Sequence, residues 1–377
     1  MSMTKKIFIV AGIVLVAGLS AIVADRFIFP QLSSTDFFSK NRFLKNLADN
    51  VTVINKTEQV YIKEESSLSK VASQSASSVV NIAYFPDPAP KNGALAKNQT
   101  GVIVTSDGLI LTYITEPNPK NFKYSVLSAD GNVYDATLLD VDSFSNLAFL
   151  KINAANLPAA SFGNSSDIKA GEKIISVGNS LGEYQNSYAA GIISEFNPTY
   201  NLSGKTLSSS DKLEGAFKSD IDNLESFVGG PIVDYSGQIV GIIGALQIDG
   251  RNDFFEIPSN KIHAIIGKEL KKDIANNASL GIYYIPITKT YALFNGLKVG
   301  SGALIYSSSG QQGLAILSSS VAEKAGLKIG DIITEISGEK ITAENPLSDI
   351  LYSYKKGDQI EITIQRNNEE MKISATL

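Results

Sequence analysis

The apolar residues of this chain change texture several times between its ends. The first texture is an uncharged run from Ile7 to Ala24, preceded by Lys5 and Lys6 and closed by Asp25-Arg26. It is long enough to cross a bilayer, which takes roughly 20 residues, and it has no polar face of the kind a helix on a soluble core would show. The run is long for a signal-peptide core, and Ile22/Ala24 form a weak cleavage site. The pattern predicts a retained transmembrane helix within residues 1–29, with a cytoplasmic N-terminus set by the lysines. Residues 30–66 are polar and mixed and read as a stalk. Phe37, Phe38, Phe43 and Leu44 suit a short amphipathic helix there, and Val51–Ile54 and Gln59–Ile62 suit short strands.

From residue 67 the texture turns to β. Short apolar runs alternate with Gly, Asn, Asp and Ser turns: Val79–Ala83, Gly101–Thr105, Leu109–Thr112, Ala136–Val141, Leu147–Ile152, Lys173–Val177, Tyr188–Ile193 and Ile239–Ile243. Many short strands at this spacing predict barrels or sandwiches. Ser259 to Lys272 reads as a helix with Ser259 as its N-cap. Asn276-Asn277 reads as a joint, and residues 278–377 as a separate mixed unit. In that unit strands flank helices at Ser320–Ala325 and Pro346–Tyr354, and Ser307–Gln312 forms a polar turn.

Composition narrows the chemistry. Apolar residues make up 44% and charged residues 19%, as in chains that bury substantial cores. The net charge of −5, without a Lys/Arg cluster, gives nucleic acid no footprint. With no cysteine and one histidine, His263, there is no thiolate nucleophile, no disulfide and no ordinary zinc ligand set. No metal or other cofactor is expected.

Several segments, in order, resemble the HtrA (Do/Deg) family of trypsin-like serine proteases. Gly101-Val102-Ile103-Val104-Thr105-Ser106-Asp107-Gly108-Leu109-Ile110-Leu111-Thr112 is similar to the hairpin leading to that family's catalytic histidine. Asn146-Leu147-Ala148-Phe149-Leu150-Lys151-Ile152 is similar to the strand that begins at its aspartate. Val177-Gly178-Asn179-Ser180-Leu181-Gly182 with Gly191-Ile192-Ile193-Ser194, then Asp220 through Gly229-Gly230-Pro231, and Phe255-Glu256-Ile257-Pro258-Ser259 continue the match. The resemblance implies a mostly β chain, with a trypsin-like double β-barrel over residues 67–272 and a cleft between its two six-stranded barrels.

Carried onto this sequence, the catalytic positions are degenerate. The histidine position falls on Thr115, the aspartate position on Asn146 and the serine position on Val228. The interval from Asp220 to Gly229 matches without a gap, so the register is fixed. The oxyanion loop is altered as well, with Ser226 in place of a glycine and Phe227 in place of a small polar residue. Valine carries no nucleophilic atom, threonine cannot shuttle a proton near neutral pH, and asparagine cannot stabilise an imidazolium by charge. A rescue would need Ser226 as nucleophile with Lys218 or Asp222 as base. His263, on the helix after the barrels, is out of place for the role. Gly229-Gly230 reads as a turn the barrel needs whether or not it reacts.

Leu280-Gly281-Ile282, Gly302-Ala303-Leu304-Ile305 and Val321-Ala322-Glu323-Lys324-Ala325-Gly326-Leu327-Lys328-Ile329-Gly330-Asp331-Ile332-Ile333 resemble the family's PDZ domain, as do Ile336–Ile341 and Lys356–Ile360. The resemblance implies that the carboxylate-binding loop falls at Leu280, Gly281, Ile282 and Tyr283. A peptide would add there as a strand to an exposed sheet edge. Ile282, Tyr284, Leu347, Ile350 and Leu351 are the candidates for its side-chain pocket.

The expectation is a single-pass plasma-membrane pseudoprotease with its bulk extracytoplasmic. It would bind polypeptide C-termini or unfolded proteins as a scaffold, chaperone or regulator in protein quality control. The resemblance adds a homotrimer, or co-assembly with active relatives, as its assembly. The rival readings are an active serine endopeptidase with a non-standard site and a structural envelope protein.

Overall fold

The computed structural model describes residues 3–24, 69–88, 97–116, 118–179, 186–222 and 224–377. The stalk with its expected short elements, and Ser180-Leu181-Gly182, lie outside the described residues. The chain divides into two compact units, Met1–Ser69 and Lys70–Leu377.

In the first unit α1 spans Met3–Val23 and presents Ile13, Val14, Leu15, Val16 and Leu19 outward. Among the described residues no helix is long and apolar enough to cross a membrane.

The second unit opens with the first barrel. Its strands are β1 (Val79–Pro86), β2 (Lys97–Ile103), β3 (Leu109–Tyr113), β4 (Phe122–Leu127), β5 (Val133–Val141) and β6 (Leu147–Ile152). They close in the order β1-β2-β3-β6-β5-β4, around a core that includes Val80, Ile82, Ile103, Ile110, Leu150 and Ile152. Closure leaves no edge to aggregate.

The second barrel takes β7 (Lys173–Asn179), β8 (Asn186–Asn201), β10 (Glu214–Ser219), β11 (Pro231–Asp234), β12 (Ile239–Ile248) and β13 (Arg251–Pro258), closed as β10-β13-β12-β11-β7-β8. The short strand β9 (Ser208–Ser209), between β8 and β10, leaves this barrel and pairs elsewhere. Helix α2 (Ser259–Leu270) follows and buries Ile262, Ile265 and Ile266. Ser259 is not its cap, as the sequence suggested. Pro258 holds that position, and the Ser259 hydroxyl donates instead to the carbonyl of Gly163 at 2.7 Å, fastening the helix to the inter-barrel crossover.

Residues 278–377 form the third layer. Strands β14 (Tyr283–Ile287), β15 (Gly302–Ile305), β16 (Ile332–Ile336), β17 (Glu339–Lys340), β18 (Gln359–Arg366) and β19 (Glu369–Thr376) make a sheet ordered β19-β18-β16-β15-β14-β9, with β17 on β16. The helices are α3 (Lys289–Phe294), α4 (Gln312–Ala315), α5 (Val321–Lys324) and α6 (Leu347–Tyr352). Ser320 caps α5 by accepting from the Glu323 N–H. Arg366 clamps the buried Asp331 with two 2.7 Å bonds, the bidentate geometry that makes such pairs strong.

The joint at Asn276-Asn277 is tied down. Lys268 donates to Asn277 Oδ1 at 2.6 Å, and Asn277 Nδ2 donates to Asp142 at 3.0 Å. Tyr352 of α6 stacks on Phe144 at 4.3 Å with Lys268 4.0 Å over its ring. Lys261 of α2 pairs with Asp349 of α6. The Tyr284 hydroxyl donates to Glu214 Oε2 at 2.6 Å. Burial pushes Glu214 up to about 7, against bonds from Tyr284 and Ser208 that favour the anion. Burial likewise raises Glu256 to about 7, opposed by Ser219. Both carboxyls hold protons more tightly folded than unfolded. Their contribution is present below the unfolded value near 4.5 and is lost as pH rises through 7. Urea unfolding from pH 5 to pH 8 is expected to show stability falling by about 2 kcal/mol for each group. Glu214→Gln should flatten that slope by one group's share, and an unchanged slope in the variant would contradict the assignment.

Candidate functional site

Between the two barrels lies a cleft of about 1040 Å³, and Thr115, Asn146 and Val228 all line it. The three positions picked from sequence are therefore brought together. Strand β3 delivers the first: it ends at the buried Tyr113, and Thr115 stands exposed beyond it. Thr112 anchors this strand end, its hydroxyl donating to the Thr100 carbonyl at 2.7 Å and accepting from Gln99 at 3.0 Å.

Asn146 is delivered by a tight turn. Asp142, wholly buried, accepts from the Phe144 and Ser145 N–H groups and from the Ser145 hydroxyl. Asn146 closes the turn at φ 62°, a left-handed conformation that asparagine tolerates better than most residues. Its Nδ2 donates to the Tyr113 hydroxyl at 3.1 Å, and its Oδ1 accepts from Lys212 at 3.3 Å. Lys212 also donates to the Ser143 carbonyl at 2.6 Å.

Where a triad would pass a proton, this chain has a phenol, an amide and an ammonium in series. Burial pushes the Tyr113 phenol up to about 12, so it stays neutral. Burial also lowers Lys212, while Asp142 and Asp211 favour its charged form. Sequence reasoning missed Tyr113 and Lys212. Tyr113 lies two residues before Thr115 and was legible as a cleft candidate, whereas Lys212 lies in a polar loop with no motif to mark it.

The serine-loop segment is rebuilt. Leu224–Phe227 forms a 3-10 turn. Phe227 is buried in the second-barrel core, its ring filling the space above Gly178, where a Cβ would collide with it. Ser226 stays exposed on the cleft. The Val228 carbonyl accepts from Thr100 N–H at 3.1 Å, and the N–H groups of Gly229 and Gly230 are taken by the carbonyls of Ile243 and Phe227. The proposed rescue base Lys218 lies outside the cleft lining, paired with Asp253 at 2.8 Å beneath the Tyr200 ring. Asp222 is exposed and also outside the lining. His263 is exposed on α2, edge-on to Phe162 at 5.5 Å, and does not line the cleft. Among the described residues no cluster of His, Asp and Glu could hold a metal ion.

In the C-terminal domain Leu280, Ile282, Tyr284, Leu347, Ile350 and Leu351 come together in one buried core. Gly281 adopts φ +76°, the turn that starts β14. Tyr283 is half-buried, with Lys205 4.7 Å over its ring. The edge of β14 is already paired: β9 lies antiparallel to it, Ser208 opposite Tyr284 and Ser209 opposite Tyr283.

Fold and site together define a class: two trypsin-like barrels with a cleft between them, followed by a PDZ domain. A trypsin-like peptidase domain model matches residues 99–242 and a PDZ domain model matches residues 279–377. Serine protease HTRA1 of Xenopus tropicalis is 31% identical over 322 residues, covering 82% of this chain and 66% of that protein. The Do-like serine protease HtrB of Bacillus subtilis is 29% identical over 274 residues, covering 68% of this chain and 56% of that protein. Two solved structures of the HtrA-type protease AlgW, one with a tripeptide and one with a decapeptide, share the fold at 22% identity. Their TM-scores are 0.64 and 0.58, covering 82% and 81% of this chain and 95% and 96% of theirs. The chain belongs to the HtrA/Do-like family, and it spans about two thirds or less of the length of these curated relatives.

The glycine pair after Val228 is kept for geometry. Gly229 sits at φ +81°, and a Cβ there would collide with the Thr100 carbonyl and Thr112 Oγ1. Gly229→Ala is expected to cost about 2–3 kcal/mol, since left-handed strain and a backbone clash add. Urea denaturation would show this, and a loss below about 0.5 kcal/mol would mean the turn is not needed.

Proposed function

We propose that this chain is an HtrA-like pseudoprotease, held at a membrane by Ile7–Ala24, that binds polypeptide without cutting it and acts in protein quality control. One observation carries the reading. The residue in the aspartate position, Asn146, is spent on Tyr113 and Lys212, and the same cleft carries a valine where the nucleophile would stand. General-base catalysis needs a group that takes a proton near neutral pH within hydrogen-bond reach of the attacking oxygen. The triad positions supply neither member of that pair.

Binding is supported by the C-terminal domain. Its β14 edge and the loop at Leu280–Tyr283 have the arrangement for β-strand addition. Structures of the same fold contain a tripeptide or a decapeptide. Ligands of this chain would be carboxylate-ended or extended segments of other proteins. Assembly as a homotrimer, or with active relatives, belongs to the same reading.

The test is a titration of the full-length chain in detergent with one fluorescent peptide, either free or amidated at its C-terminus. The free form should bind at least tenfold more tightly whatever the absolute affinity, and mass spectrometry should recover it intact. Fluorophosphonate labelling of Ser226 with peptide cleavage, both lost in Ser226→Ala, would establish an unorthodox endopeptidase instead. Equal weak binding of both forms would favour a purely structural protein.

The anchor has its own check. The full-length chain should stay with the membrane pellet through alkaline carbonate extraction, and a chain beginning at residue 27 should be released. Release of both would remove the anchor from the reading.

A further inference from the structure

The edge of β14 is where a peptide would add, and a segment of the same chain lies on it. The segment runs in the direction a C-terminal peptide must take. Ser208 stands opposite Tyr284 and Ser209 opposite Tyr283. The Ser210 N–H donates to the Ile282 carbonyl at 3.0 Å, and the Ser210 hydroxyl accepts from the Ile282 N–H at 3.1 Å. The next residue is Asp211. Its Oδ1 accepts from the Gly281 N–H at 3.4 Å, and its Oδ2 accepts from the Ser279 hydroxyl at 2.8 Å. A carboxylate thus sits at the loop that would hold a peptide's terminal carboxylate.

The surroundings fit an occupied site. Ser208, Ser209 and Ser210 are all buried. Asn201 shapes the segment, its Oδ1 accepting from the Ser209 N–H and its Nδ2 donating to the Ser209 and Lys212 carbonyls. Lys205 bonds the Tyr283 hydroxyl from the other side.

We infer that Ser208–Asp211 is a tethered internal ligand of the PDZ edge, with the Asp211 side chain standing in for a terminal carboxylate. The inference rests on reading that edge as the peptide site. An external chain end binds only by displacing the segment. Tethering gives the segment an effective concentration of order millimolar, so external peptides bind with an affinity reduced by the fraction of edges that are open. Displacement is feasible because the Gly281 bond is long and the carboxylate makes one backbone contact. A true chain end can replace the whole strand and carry its carboxylate into the loop.

The chain has no cysteine, so a single engineered pair can report on this contact. Ser209 and Tyr283 are directly opposed across the two strands, so a cysteine at each position tests whether the two strands lie within disulfide reach. In full-length Ser209→Cys/Tyr283→Cys the disulfide should form on mild oxidation. The oxidised form should lose binding of a free-carboxylate fluorescent peptide, and reduction should restore it. Independently, Asp211→Ala should bind the same peptide at least tenfold more tightly than the parent chain. Failure of the disulfide to form, or equal binding before and after oxidation, would overturn the internal ligand alone. So would equal affinity of Asp211→Ala and its parent. No binding by any form, Asp211→Ala included, would sink the peptide-site reading and the inference with it.

Discussion

One buried carboxylate holds the arrangement together. Asp142 is sealed from solvent, and its oxygens accept from two backbone N–H groups, a serine hydroxyl and the Asn277 amide. The first three bonds make the turn that sets Asn146 in its left-handed conformation and aims it across the cleft. The fourth reaches the segment joining the barrels to the PDZ domain. Burial raises Asp142, while those same bonds favour its anion. An anion without them would cost several kcal/mol in that interior. The turn, the cleft wall and the inter-domain joint therefore stand on one satisfied group.

On the reading proposed above, the cleft shows what persists when acid–base chemistry is absent. Gly229 remains because a backbone crossing demands it. Thr112 remains because its hydroxyl locks β3 to β2. On that reading, two of the altered serine-loop positions have taken on packing roles. Val228 leans on the second-barrel core and Phe227 enters it outright. Asn146 exchanges a charge for an amide that can both donate to Tyr113 and accept from Lys212.

Much of this was legible before any coordinates. Short apolar runs such as Leu147–Ile152, bounded by Gly, Asn, Asp and Ser turns, pointed to barrels or sandwiches, and the order of the motifs chose the double barrel between them. The motif order fixed Thr115, Asn146 and Val228, and the structure lines one cleft with all three. Three features were hidden for separate reasons. Lys212 acquires its role from a loop path that places it near Asn146, 66 positions away in sequence. Ser259 reads as a cap by type, but tertiary contact with Gly163 claims its hydroxyl. The strand β9 is two serines long, far below what periodicity can detect, and its partner lies in another domain.

That last feature changes what the C-terminal domain needs in order to work. An enzyme releases its substrate by cutting it, and the products leave because each makes only part of the original contact. A binder without chemistry releases only by dissociation, at a rate set by the contacts it makes. On the reading proposed above, main-chain pairing along β14 is indifferent to sequence, so an unopposed edge would hold any strand that reached it. Ser208–Asp211 on that edge supplies the missing opposition. Only a chain end that brings a real carboxylate and a longer run of backbone bonds outcompetes four tethered residues with a borrowed one. Selectivity then comes from a competitor written into the barrel domain rather than from the depth of a side-chain pocket. This accords with a groove whose apolar residues, Ile282, Tyr284, Leu347, Ile350 and Leu351, are all committed to the domain's own core.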